Sequence, residues 1–228
     1  MSLEKLTEEG RVEPKRRYDD ACGTAHALEL IGDRWTLLVL RELMLGPRRF
    51  SDLRGDLPGI SANVLTQRLG ELEERGLARK VRLPPPASVQ VYEATPWGLE
   101  AEPIVQVLGR WAARSPAHDP TLPISGVSIL LSFRTMIDAK RAKNLNARIG
   151  FRFGQDQYVA RLKGGTIRVT RKPIAGVDAV IVAEPGMLAA VVYGGQSLDL
   201  IGIEGDRALI ERFVTLFPLP PKVGADFS

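Results

Sequence analysis

The chain is poor in the residues that most catalysis and covalent stapling require. It holds one cysteine, Cys22, and two histidines, His26 and His118, in 228 residues. A solitary cysteine cannot close an intrachain disulfide, so a disulfide-stapled secreted fold is excluded. One thiol and two imidazoles do not furnish a structural zinc site of the usual Cys/His type. The same scarcity counts against nucleophile-plus-histidine catalysis, which needs a base that titrates near neutrality. No catalytic constellation assembles, and no enzyme activity, cofactor or metal is expected. No run approaches the roughly 18 uninterrupted apolar residues of a transmembrane helix, and Glu4, Lys5, Glu8 and Glu9 rule out an apolar secretory segment. A cytoplasmic protein without a membrane association is expected.

What is present is an ordinary globular composition, 44% hydrophobic and 25% charged, long enough for one large domain or two small ones. The net charge of +4 is unevenly placed. Residues 1–118 hold 17 basic and 17 acidic side chains, whereas Arg134 to Lys172 hold 11 Lys+Arg against Asp138 and Asp156 alone. A nucleic-acid partner for the first half must therefore be met by local placement of charge.

Residues 1–17, polar and ending in Lys15, Arg16 and Arg17, read as a flexible arm. Asp19 or Asp20 is placed to cap a helix carrying Ala25, Leu28 and Ile31, ended by Gly32. Asp33 is placed to cap the next, with Leu37, Leu40, Leu43 and Met44 at helical spacing, stopped by Gly46-Pro47. A short helix over 50–56, the turn Leu57-Pro58-Gly59-Ile60 and a helix from Ser61 to Arg75 form a helix-turn-helix. Strands over 77–83 and 89–94, joined by a proline-rich loop at 84–88, make a hairpin wing. Thr95-Pro96 opens one last helix with Leu99, Ile104, Val107, Leu108 and Trp111 on its apolar side. Residues 115–123, with three prolines, read as a linker. Beyond it, strands over 146–153, 158–163, 166–170, 179–183 and 198–203 alternate with helical segments, an α+β pattern. The expected domains are thus a DNA-binding and dimerisation domain over 18–114 and a ligand-binding α+β domain over 124–228.

In the helix from Ser61, Leu65, Leu69 and Leu72 fall on one face, leaving Asn63, Thr66 and Gln67 on another. Asn and Gln amides pair in bidentate fashion with adenine and Thr meets a thymine methyl, so these types suit a helix in the major groove of double-stranded DNA. Arg48, Arg49, Arg54, Arg68 and Ser61 are placed to meet phosphates, and Lys80 and Arg82 on the wing to reach backbone or minor groove. A plain solvated face would use the same residue types; the turn before and the hairpin after favour the reading helix. Trp35 is explained by core packing and His26 by packing or an interface.

The run from Ala27 to Thr36 (ALELIGDRWT), then Gly46-Pro47-Arg48-Arg49-Phe50-Ser51-Asp52-Leu53, Leu57-Pro58-Gly59-Ile60-Ser61 and Leu65-Thr66-Gln67-Arg68-Leu69, closely resembles the HxlR family of bacterial winged-helix regulators over residues 18–114. The resemblance implies a homodimer, joined through the helices flanking the winged core, on a partly palindromic operator. Asn63 departs from the Arg frequent at that place in the family, which affects base preference. Regulators resembling this one often carry a cysteine before or within the first helix, in some members a sensor of oxidants or electrophiles. Cys22 stands there; a helix N-terminus and Lys15 to Arg17 would lower its pKa, whereas Asp19 and Asp20 would raise it. The alternative is a small buried hydrophobe without reactivity.

Residues 124–219 resemble the sterol carrier protein type 2 fold in Tyr193-Gly194-Gly195, in Leu200 to Asp206 and in Leu209 to Phe217. That implies a pocket for a lipid-like or other apolar small molecule, for which Phe133, Phe151, Phe153, Met187, Leu188, Val191 and Val192 are candidates; a packed core would use the same residues. The basic stretch is a solvated face, a seat for an anionic head group, or a source of further phosphate contacts. Two functions are in view: a ligand- or redox-responsive DNA-binding regulator, and a lipid-binding or carrier protein whose winged helix serves dimerisation or protein contacts.

Overall fold

In a computed structural model of the protein, residues 18–85 and 87–224 are described. The expected arm over 1–17 and Pro86 of the wing loop lie outside them. Residue contacts divide the chain into two units, one up to Asp33 and one from Arg34 onward.

The first unit holds α1 (Gly23–Ile31). Its N-cap is Cys22, in extended conformation, rather than either expected aspartate. Asp20 instead accepts the backbone amide of Cys22 at 2.9 Å, tying the turn that precedes the helix. Glu29 accepts from the Tyr18 amide at 2.8 Å and lies 3.1 Å from His26 Nδ1, so His26 stands exposed in a local pair.

The second unit begins with a turn at 34–35, so α2 (Thr36–Leu43) starts two residues later than an Asp33 cap would place it. Helices α3 (Phe50–Asp56) and α4 (Ala62–Glu74) fall at the expected places. Ser61 caps α4 by accepting the Val64 amide at 3.2 Å, and Gly76, with φ of +70°, ends its last turn in a conformation few other residues adopt. Leu65, Leu69 and Leu72 are at most 1% exposed, and each contributes ~2 kcal/mol of apolar burial. The Trp35 ring lies against Gly59 of the turn, with the Arg34 guanidinium 5.4 Å from the ring centre. Strands β1 (Ala78–Arg82) and β2 (Gln90–Ala94) pair antiparallel as the wing. The last helix of the first half is two helices, α5 (Pro96–Leu99) and α6 (Glu102–Ala112). Pro103 has no N–H for the Leu99 carbonyl, which breaks the ladder there. Gly98 is obligatory, because a Cβ at this position would lie 2.0 Å from the Leu77 carbonyl oxygen.

After the irregular stretch through 115–123 come α7 (Gly126–Met136) and the single turn α8 (Ala139–Ala142). Strands β3 (Ala147–Phe153), β4 (Asp156–Lys163), β5 (Thr166–Arg171), β6 (Ala179–Val182) and β7 (Gly202–Gly205) form one sheet in the order β5-β4-β3-β6-β7. Only the β3–β6 pair is parallel. The expected strand over 198–203 survives only from Gly202, because Ser197 accepts the Asp199 amide and turns 198–200 into a 3₁₀ helix. Helices α9 (Pro185–Gly194) and α10 (Arg207–Phe213) complete the α+β architecture.

One sheet face carries Ile149, Phe151, Tyr158, Ala160 and Ile181, all fully buried. Phe133 of α7 makes ring contacts with Phe151, Phe213, Phe217 and Tyr193 at centroid distances of 4.5 to 6.3 Å. Of the residues expected to line a pocket, Phe133, Phe151, Phe153, Leu188 and Val191 are buried, Val192 is half-buried and Met187 is exposed. The three phenylalanines sit in a chain of ring contacts, the packing of a filled core.

Candidate nucleic-acid interface

The face of α4 that does not pack inward carries Asn63, Thr66 and Gln67, all exposed, at the i, i+3, i+4 spacing that aligns side chains on one side of a helix. Gln67 donates to Glu71 Oε1 at 3.2 Å, and the Thr66 hydroxyl donates back to the Ala62 carbonyl at 2.9 Å. The amide of Asn63 and the oxygen of Gln67 are thus left on an open helix surface near its N-terminal end, the geometry a major-groove helix presents.

The expected phosphate contacts divide by their surroundings. Arg49, the N-cap of α3, and Arg54 within it are exposed, as is Ser61. On the wing, Lys80 and Arg82 alternate with Val81 and so share the face that holds Tyr92, with the Lys80 ammonium 5.7 Å from its ring centre. Arg68 is held by Glu71 at 2.7 Å, with its side chain 14% exposed, and Glu71 also lies 3.6 Å from Arg75. Arg48 does not face solvent at all. It is 3% exposed and its guanidinium pairs with Asp56 at the end of α3 and with Asp156 at the start of β4, the latter at 2.7 Å. Its backbone forms a bridge to Tyr92 of the wing, with hydrogen bonds of 2.9 and 2.8 Å in the two directions. A basic residue just before a helix-turn-helix reads as a phosphate ligand in sequence; here two carboxylates, one of them 108 residues away, turn it inward.

Around this joint the polar groups interlock. Arg171 reaches Asp156 at 3.4 Å and donates to the Tyr158 hydroxyl, while its backbone amide donates to the Leu45 carbonyl at 3.0 Å. Burial pushes the Tyr158 phenol up to about 12, against the pull of the Arg171 charge. Glu42, fully buried on α2, accepts from Ser125, the N-cap of α7, at 2.8 Å and pairs with Arg41 at 2.7 Å. None of these long-range partners is legible in sequence, because ion pairing leaves no period.

Two further exposed features, one in each unit, bear on function. Cys22 is exposed, not a buried hydrophobe, and hydrogen bonds from the backbone amides of Thr24 and Ala25 lower its thiol below the ordinary range. The outer side of α6 presents Ile104, Val107, Leu108 and Trp111, between 46% and 71% exposed, lining an apolar groove with Pro103. The apolar side expected for the last helix is present, and it faces away from the chain's own core. Among the described residues no group of three or more His, Cys, Asp or Glu is arranged to hold a metal ion, and no helix is long and apolar enough to cross a membrane.

Residues 30–119 match the family model described as HxlR-like helix-turn-helix. The uncharacterized HTH-type transcriptional regulator YkvN of Bacillus subtilis is 41% identical over 92 residues, 40% of this chain and 77% of that protein. The HTH-type transcriptional regulator YodB of the same organism is 34% identical over 86 residues, 38% of this chain and 77% of that protein. A solved structure of YodB in its reduced form has 31% identity, covers 43% of this chain and 98% of that chain, and superposes with a TM-score of 0.39. The α+β part from residue 124 lies outside the family match. Through its winged half, the chain belongs to the HxlR-like helix-turn-helix family.

Proposed function

We infer that the protein is a sequence-specific DNA-binding transcriptional regulator that reads its operator as a homodimer, with α4 in the major groove. The observation that carries this is the open face of Asn63, Thr66 and Gln67 on a capped helix whose opposite face is fully buried. Arg49, Arg54, Ser61, Lys80 and Arg82 surround it as backbone contacts; Arg48 serves the fold instead. The relatives' names as HTH-type transcriptional regulators support the reading. A second copy covers the apolar stripe of α6, since an exposed contiguous apolar patch on a helix marks an interaction surface. A DNA-reading role places the protein in the cytoplasm.

The test is fluorescence anisotropy with a duplex from upstream of its own gene against a scrambled duplex. Preference for the upstream duplex by ~100-fold, lost in Asn63→Ala/Gln67→Ala, is the expected result. Equal binding of both duplexes would count against sequence-specific regulation at this site. Cys22 is the position at which an oxidant or electrophile acts on that affinity, given its exposure and lowered thiol pKa. Electrophile-treated wild type binding DNA as untreated protein does would remove it from the mechanism. A second reading takes the α+β part as a sterol-carrier-like holder of a lipid-like molecule near α9, where exposed Met187 adjoins buried Leu188. Native mass spectrometry of the purified protein tests it, a lipid-free mass after expression in lipid-replete cells being the adverse outcome.

A further inference from the structure

The register of the sheet places three arginines side by side. Arg148 on β3 lies opposite Arg161 on β4, and Arg161 lies opposite Arg168 on β5. Directly opposed residues share a sheet face, so the three guanidinium groups project from the side away from the aromatic core. All three are exposed. Like charges directly opposite one another oppose folding, and such a row persists only where something offsets it. On this same face Arg152 is neutralised by Glu204 at 2.7 Å. Arg161 and Arg168 have no ion-pair or hydrogen-bond partner among the described residues, and the Arg148 guanidinium donates only to the Ala175 carbonyl, at 3.2 Å. Lys163 on β4 adds a further exposed positive charge.

We propose that this arginine row is a second DNA-contacting surface, binding the phosphate backbone beside the sequence read by α4. The proposal rests on the regulator reading above. Charge complementarity is the first support: Arg is the side chain suited to phosphate, and a row of three on strands ~4.8 Å apart spans ~10 Å. That is about the rise across four successive phosphates of one strand, ~3.4 Å apart along the duplex axis. The second support is continuity with the winged helix. Arg168 stands three residues, ~10 Å, from Arg171, whose amide is bonded to Leu45. The neighbouring strand begins at Asp156, paired to Arg48, which in turn bridges the wing at Tyr92. The third is the character of the face. None of the exposed large apolar side chains among the described residues lies on β3, β4 or β5, so the surface lacks the wedge a membrane-bound face inserts. Its outward residues also include no aromatic ring on which single-stranded bases would stack.

The experiment compares full-length wild type, Arg161→Gln/Arg168→Gln and Arg161→Lys/Arg168→Lys on the upstream and the scrambled duplex over a salt series. The Gln variant is expected to weaken binding to both duplexes alike and to flatten the slope of log affinity against log salt by about 2 to 4, the pair acting twice in a dimer. The Lys variant, keeping the charge, is expected to retain most of the slope. A urea midpoint for the Gln variant at or above that of wild type shows that the fold is intact, since a like-charge row has been relieved. A Gln variant with an unchanged slope overturns the proposal, as does one that loses only binding to phosphatidylglycerol vesicles. Loss of the upstream preference in wild type would sink the regulator reading alone, because the slope on scrambled DNA still reports the row.

Discussion

Tyr158 shows how one residue is shaped by sequence and by fold in turn. Its place in an alternating strand sets it on the inner face; what makes it unusual is that burial holds its phenol neutral well past the ordinary range. Tyr193, packed against Phe133 and 2.7 Å from the Ser132 hydroxyl, is raised in the same direction by burial. Below pH 10, the ordinary tyrosine value, both phenols are neutral in the folded and unfolded chain, and pH does not act through them. Above it the unfolded chain loses protons that the folded chain keeps until about 12, so stability falls across that interval. Urea midpoints measured below pH 10 and again between 10 and 12 should show the decline. Tyr158→Phe should cost ~1 kcal/mol at neutral pH, from the lost Arg171 bond, and make the alkaline decline shallower; an equally steep decline would place the titration elsewhere.

At the scale of elements, α6 is the case where pattern and environment part company. The spacing of Ile104, Val107, Leu108 and Trp111 at i, i+3, i+4 and i+7 is that of a buried helix face, and a sequence cannot say whose core the face enters. The buried side of α6 is instead polar at Glu102, whose carboxyl is raised by burial and opposed by Arg134 at 2.8 Å. Val107 and Trp111, the most exposed of the stripe, should therefore be central to the dimer. A Val107→Glu/Trp111→Glu chain, which introduces four charges into a two-fold interface, should weaken self-association by ~100-fold or more while leaving the monomer's helical content intact. Analytical ultracentrifugation reads this directly; an unchanged mass would mean that the dimer, if formed, uses another face. The arginine row of β3, β4 and β5 is the counterpart in the sheet: basic residues at alternate positions are visible in each strand, but that they stand abreast is a matter of register.

For the molecule as a whole, the salient fact is that residues from Arg34 onward form one contact unit, held by Arg48 with Asp156, by Glu42 with Ser125 and by Arg134 with Glu102. Ties of this kind should make the winged helix and the α+β part unfold together. All three tryptophans, Trp35, Trp97 and Trp111, lie in the first half, so tryptophan fluorescence reports that half while far-UV circular dichroism reports both. The two urea transitions should coincide in wild type and move together in Arg48→Ala by ~3 kcal/mol, the low end for breaking a buried pair, since both carboxylates keep some water. Separate transitions in wild type would refute a single cooperative unit. Much of the architecture was readable from the chain alone: the cap at Thr95, the helix-turn-helix with the leucine face of α4, the hairpin, and the α+β pattern of the second half all follow from local rules of period, capping and turn chemistry. The same rules located the exposed polar face of α4, because burying Leu65, Leu69 and Leu72 leaves Asn63, Thr66 and Gln67 outside. Tertiary structure alone decided that Arg48 is a joint rather than a phosphate ligand, that the α6 stripe faces outward, and that Arg148, Arg161 and Arg168 stand in one row. The physical reason is common to all three. Local propensities act over a few residues and leave a periodic trace, whereas ion pairing, strand register and the choice of which apolar face is covered depend on residues brought together from distant parts of the chain.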